Sequence, residues 1–183
     1  MRSFSLRLIA ATVICLSIGS TTARAETNLR ISPLSLLLGL VGAEADFGIS
    51  ENWTLGPTFY YLNRSSDDFD VSATSLGIRG NYYFDRAVFT QGWYIGPSVS
   101  FLSVKVKDNS GTFNDSASAS GTALTGIFGY QWTWESFNIN LGAGPVAYSL
   151  GKIRVKDSNG NEDTYSTYSN VGLSIEFNLG WKF

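Results

Sequence analysis

Four charged side chains stand where extended backbone would aim them at a common space. Glu44 and Asp46 lie two residues apart in VGAEADFG (41–48), Arg79 lies in LGIRGNYY (76–83) and Glu176 in VGLSIEFN (171–178). In a strand, residues i and i+2 share a face. Glu44 and Asp46 therefore form a carboxylate pair of the kind that performs acid–base work on glycosidic bonds. The same groups also suit a purely structural use, as buried ion pairs, because interior charges must find partners. Aligned on their shared glycine, the segments place Glu44 and Arg79 at one level, which favours pairing over catalysis. Arg30 and Lys182 add charge nearer one rim.

Other chemistry is poorly supplied. The chain has no histidine, and activating a serine nucleophile usually needs one. An enzyme built here would need a Ser–Lys or carboxylate mechanism, so no catalytic residues are assigned and no activity is expected. Asp157-Ser-Asn-Gly-Asn-Glu-Asp163 offers oxygen ligands suited to calcium, but its spacing fails the EF-hand pattern. Polar turn chemistry explains it equally well. No metal site and no cofactor are expected.

The start of the chain has a basic beginning (Arg2, Arg7), an apolar run from Leu8 to Ile18 and a small-x-small ending, Ala23-Arg24-Ala25. This predicts a secretory signal peptide over 1–25, cut before Glu26. The apolar run is short for a membrane anchor. Cys15 lies within it, but Ile14 is large where a lipoprotein signal wants a small residue. Residues 26–183 then hold no cysteine, so no disulfide supports the exported fold. Losing three arginines leaves ten Lys and Arg against fifteen Asp and Glu, a net charge of about −5, which disfavours nucleic acid as a partner.

The elements that must position the charges follow from an internal repeat. TLGPTFYYL (54–62), YIGPSVSFL (94–102) and GAGPVAYSL (142–150) share a Gly-Pro step and a leucine five residues later, and RISPLSLLL (30–38) is a fainter copy. Between them lie four glycine-bearing segments, at 41–48, 76–83, 125–132 and 171–178. The two families alternate, predicting four hairpins and eight strands. Short turns fall around 51–52, 85–91 and 133–136, and longer polar loops at 65–70, 107–115 and 154–163, the last with the hairpin signal Asn159-Gly160. The first hairpin is shorter than the others, because only nine residues separate Pro33 from Gly42.

Within each strand the faces differ. Val171, Leu173, Ile175, Phe177, Leu179, Trp181 and Phe183 alternate with Gly172, Ser174, Glu176, Asn178, Gly180 and Lys182. All five tryptophans lie next to the short turns, where an interfacial girdle belongs. An even strand number, short turns at one end, long loops at the other and an apolar outward face predict an all-β fold: an eight-stranded antiparallel up-and-down transmembrane β-barrel. Residues 117–132 allow two registers. Leu124, Phe128, Tyr130 and Trp132 share one face, whereas the repeat alignment turns Ile127 outward, which would need a bulge. Pro57, Pro97 and Pro145 fall on the outward register, where a residue without an N–H leaves no orphan donor in hydrocarbon, and their recurrence suggests a device for closing the sheet.

Over residues 26–183 the chain resembles the small eight-stranded outer-membrane barrels of the OmpA/OmpX type. The mark is the ending FNLGWKF, with Trp181 two before a terminal Phe183, which is similar to the assembly signal read by the outer-membrane insertion machinery. Asn178 stands where that signal prefers glycine. The resemblance implies the outer membrane of a Gram-negative bacterium, a monomer, and contact with outer-membrane lipid, lipopolysaccharide and the insertion machinery. It also implies a role as a structural or surface-interaction barrel, acting in envelope integrity, adhesion or defence through its extracellular loops and a ligand the sequence does not name. A narrow conduit for small or hydrophobic solutes is the alternative. A histidine-independent enzyme is more remote, since barrel enzymes of this membrane commonly rest on histidine. Phe69 and Phe113 are isolated loop aromatics, and the acidic excess of the loops suits a cationic or cation-bridged partner.

Overall fold

A computed structural model describes residues 26–37, 39–66, 69–84, 87–108, 116–156, 162–165 and 167–183. The signal-peptide reading of 1–25, Phe113 and residues 157–161 of the calcium-like motif lie outside them. Ten strands form one antiparallel sheet: β1 (Thr27–Ile31), β2 (Leu40–Gly48), β3 (Trp53–Ser65), β4 (Phe69–Tyr83), β5 (Gly92–Asp108), β6 (Ser116–Trp134), β7 (Phe137–Leu150), β8 (Ile153–Lys156), β9 (Glu162–Tyr165) and β10 (Tyr168–Lys182). Each of β1 to β7 pairs with its sequence neighbour, and β10 pairs with both β7 and β1, which closes an eight-stranded barrel. The β8–β9 hairpin adds to β6 beyond the rim.

Alternation runs through the wall as expected, with one segment decided by register. β6 pairs with β5 without interruption from Lys107↔Ser116 to Gly92↔Gln131. No bulge exists there. Ile127 points inward and is 3% exposed, while Leu124, Phe128 and Trp132 face outward. The repeat alignment gave Ile127 the wrong face because it matched glycines rather than hydrogen-bonded partners. At the short-turn end the outward aromatics make a belt. Trp53 meets Tyr82 at 5.1 Å, Trp93 stacks on Phe128 at 5.0 Å, Tyr130 meets Trp132 at 4.8 Å and Phe137 meets Trp181 at 5.5 Å between ring centroids.

The three strand prolines share one environment. On the side facing the preceding strand, the ladder skips two residue pairs at each Gly-Pro step and then resumes in the same register; on the other side pairing continues, as in Pro57↔Ile78 and Pro145↔Leu173. Proline thus stands where no ladder donor is used. The glycine before it allows close approach: a Cβ on Gly56 would lie 1.6 Å from the Ala45 carbonyl oxygen, and one on Gly144 1.8 Å from that of Gly126. The strands cross tightly at these two steps, as sheet coiling requires, whereas a Cβ on Gly96 would meet the Arg79 and Asn81 side chains.

The fourth proline differs. Pro33 does not belong to a strand; it opens a short helix, α1 (Pro33–Leu37), between β1 and β2. Ser32 caps it, its Oγ accepting from the Ser35 N–H at 3.4 Å and its carbonyl from Leu36 N–H at 3.2 Å. Proline suits the first helical position because that N–H has no intrahelical partner. The turn at 51–52 is tight, and Glu135 turns the β6–β7 hairpin with φ +40°. The β4–β5 connection is larger and carries Phe89, fully buried with φ +60°.

At the other end, strands run up to the expected loops and take residues 65, 69–70, 107–108, 154–156 and 162–163 of them, and the face polarity reverses. Leu76 and Phe101 pair on the outward face, but four residues further out the outward row is Asn63, Ser72, Lys105, Ser118 and Arg154. The inward row beside it is Leu62, Ala73, Val104 and Ala119. Below this level the outside is apolar and the inside polar; above it the pattern is opposite.

Candidate functional site

The charged residues converge at mid-barrel because their strands place them on the inward parity. Glu44 and Asp46 come from β2, Arg79 from β4 and Glu176 from β10, and all are nearly inaccessible. Arg30, expected near the rim, is instead 2% exposed and central. It lies opposite Glu44 across the β1–β2 pair. Its Nη2 is 2.8 Å from Glu44 Oε2, its Nε 2.8 Å from Asp46 Oδ2, and Nη2 donates to Asp46 Oδ1 at 3.0 Å. Arg79 takes Glu176 in a two-pronged contact, Nη1 to Oε2 and Nη2 to Oε1 at 2.9 Å. Its contact with Glu44 is the weaker one, 3.6 Å. The expected Glu44–Arg79 pairing is therefore secondary to Arg30–Glu44 and Arg79–Glu176. Lys182 stays at the rim, 3.9 Å from Glu26.

A polar shell fixes this cluster. Tyr94 OH donates to Glu176 and Tyr60 OH to Glu44 at 2.5 Å. Arg79 Nε donates to Asn81 Oδ1 at 2.8 Å, and Asn81 Nδ2 donates to Asp46 and Thr54 at 3.1 and 3.2 Å. Two guanidinium groups face three carboxylates, leaving one net negative charge. Glu44 and Asp46 do share a face, but both are held by Arg30. Sequence reasoning passed over Tyr60, Tyr94 and Asn81. Their inward parity was readable from the repeat, but which strand lies across the lumen was not.

Beneath the cluster the lumen is filled by buried side chains. Asn138 Nδ2 donates to Asn28 Oδ1 and Asn140 Nδ2 to Asn138 Oδ1, both at 2.8 Å. Tyr83 OH donates to Gln131 Oε1 at 3.0 Å, Gln131 reaches the Thr90 carbonyl at 3.2 Å, and Phe89 closes the end. Above the cluster lies a cavity of about 170 Å³, walled by hydroxyls such as Thr58, Ser98 and Ser100, with Arg79, Glu44 and Glu176 as its floor. Among the described residues no group of three or more His, Cys, Asp or Glu is placed to hold a metal. Trp181 lies in the aromatic belt. Phe183 closes the barrel seam through two backbone bonds with Thr27, at 2.8 and 3.3 Å.

No curated protein matches the chain. A family model described as a protein of unknown function, DUF3575, matches residues 8–181. This match spans nearly the whole barrel and its charged lumen, and the chain belongs to that family.

Proposed function

We propose that this chain is an outer-membrane barrel similar in kind to the small OmpA/OmpX group. In this reading it is closed to solutes and works by presenting its outer strands to partners at the cell surface. The reversal of face polarity carries the proposal. From Trp93 to Phe101 the outward face of β5 is apolar. That is roughly 27 Å along the strand, or about 21 Å of height at a barrel strand's tilt, close to the apolar band of such proteins. Beyond it an inward apolar and outward polar ribbon suits water, with the short turns in the periplasm. The buried ion cluster, the asparagines and Phe89 argue against a conduit, and the guanidinium contacts of Glu44 and Asp46 argue against acid–base catalysis. Lys105, Lys107 and Lys156 share the outward face of the ribbon, which suits direct contact with the phosphates of lipopolysaccharide.

Two measurements test this. In planar bilayers the reconstituted barrel should give no unitary conductance. Replacing 107–115 and 153–165 with Asn-Gly turns should leave insertion intact but fail to restore a deletion phenotype. Regular channel openings, or full restoration by the truncated barrel, would move the conduit reading ahead.

The chain end gives a further expectation. Deleting Phe183 removes its ring and both bonds to Thr27. Assembled, heat-modifiable barrel should fall sharply while processing of the leader continues. Unchanged assembly would place recognition elsewhere.

A further inference from the structure

Among the described residues, the barrel wall has a place where no strand continues it. β1 covers β10 only from Leu179 to Lys182. Above that, among the described residues, β10 has no strand partner on this edge, and α1 stands there instead. Antiparallel geometry tells which groups face the seam. Phe183 and Thr27 exchange two backbone bonds, while Lys182 N–H turns the other way to the Ser136 carbonyl. Alternation then aims the N–H and C=O of Phe177, Ile175, Leu173 and Val171 at the seam. Ser32 Oγ donates to the Phe177 carbonyl at 3.3 Å, and Val171 N–H donates to Asn170 Oδ1 at 2.8 Å. Among the described residues no strand serves the main chain of Leu173 and Ile175 on this side.

The hydroxyl-walled cavity reaches this seam. Ser32 and Ser35 of the α1 segment line it, and so does Ile175, although Ile175 stands on the outward face of β10 and is 59% exposed. With Ser174 and Glu176 on either side of Ile175, the cavity is walled here by α1 and β10, the two elements that no ladder joins. On the outer side of the seam, Leu36, Leu37, Leu173 and Ile175 are all exposed apolar side chains. A polar recess with a net negative floor thus lies behind an apolar exterior at a point where, among the described residues, backbone groups lack ladder partners. In hydrocarbon such groups must be satisfied from somewhere.

We propose that this seam is a lateral binding site for a single-chain membrane amphiphile with a hydroxylated, non-anionic head. The head enters the hydroxyl recess, where the floor repels anions, and the chain lies outside against Leu36, Leu173 and Ile175. At about 170 Å³ the recess accepts a head group and not a drug-sized molecule. The site goes beyond the surface role proposed above but rests on its membrane placement, which incorporation into nanodiscs tests first and separately.

The experiment titrates radiolabelled 1-monooleoylglycerol, and oleic acid in parallel, into the barrel held in nanodiscs, with empty nanodiscs subtracted. Saturable binding of one monooleoylglycerol per barrel is expected, with oleate at least tenfold weaker. Ser98→Leu on β5 and Ser35→Leu on α1 should each weaken binding tenfold or more without altering heat-modifiable gel mobility. Leu102→Ser, at the next inward position of β5 beyond Ser100 and outside the cavity lining, should leave it unchanged. Absence of saturable binding by the natural barrel overturns the proposal, as does equal binding of oleate, which alone decides the matter if a serine variant does not fold. Full binding by folded serine variants, or loss only in Leu102→Ser, also overturns it.

Discussion

Replacing Glu176 with alanine should lower the stability of the barrel by about 3–5 kcal/mol, the range expected when one partner of a buried ion pair is removed. Arg79 would lose both of its close carboxylate contacts and keep only Glu44 at 3.6 Å, with its side chain 5% exposed. Tyr94 would lose its acceptor as well. Glu44→Ala should be milder, because Arg30 retains Asp46 and Arg79 retains Glu176. A double-mutant cycle on urea unfolding, followed by tryptophan fluorescence in lipid vesicles, separates the two pairs. Arg79 and Glu176 should couple by roughly 2–3 kcal/mol, and Arg79 and Glu44 by less than about 1 kcal/mol. Replacing both Arg79 and Glu176 with apolar residues should be less harmful than the sum of the single changes. Additive effects for Arg79 and Glu176 would mean that the two-pronged contact does not govern stability.

Gly56→Ala should be the most damaging of the small substitutions. The new methyl would meet the Ala45 carbonyl, which is backbone and cannot swing aside, so room comes only from parting β2 and β3. A loss of about 3 kcal/mol, the upper end for overpacking, or failure to close is expected. Gly144→Ala should behave alike, since its methyl meets the Gly126 carbonyl. Pro57→Ala should be milder, costing about 1–2 kcal/mol, because the ladder skips its pair with β2 and the restored N–H has no strand acceptor there. Refolding yield into detergent, read as heat-modifiable mobility, checks all three. Normal folding of Gly56→Ala would show that the strand crossing is not as tight as its geometry requires.

These predictions rest on parts of the molecule that were unequally legible in the sequence. Alternation named the inward face of β2, β4 and β10, because parity along a strand depends only on the chain itself. It therefore placed Glu44, Asp46, Arg79 and Glu176 on one side of the sheet. Pairing across the lumen was not legible. Arg30 meets Glu44 through the register of β1 on β2, and that register is set by α1 rather than by a turn with its own signature. Pro33 shared the repeat's spelling but had Ser32 before it, and a capped helix start won over a strand. Ile127 was misplaced for a related reason: sequence similarity between hairpins does not fix hydrogen-bonded register.

The sequence by itself determined the β class, the number of barrel strands, the turn end with its tryptophans and the identity of the inward charges, since all of these follow from local periodicity. Only the tertiary structure decided the rest. The closure of β10 on β1 chose which carboxylate each arginine meets. The extension of β3 to β6 beyond the apolar band made a ribbon of reversed polarity. The shortness of the first hairpin left an edge of β10 that α1 covers in place of a strand. Each depends on contacts between residues far apart in the chain, where distance and direction are set by how the sheet coils and closes rather than by any neighbouring residue.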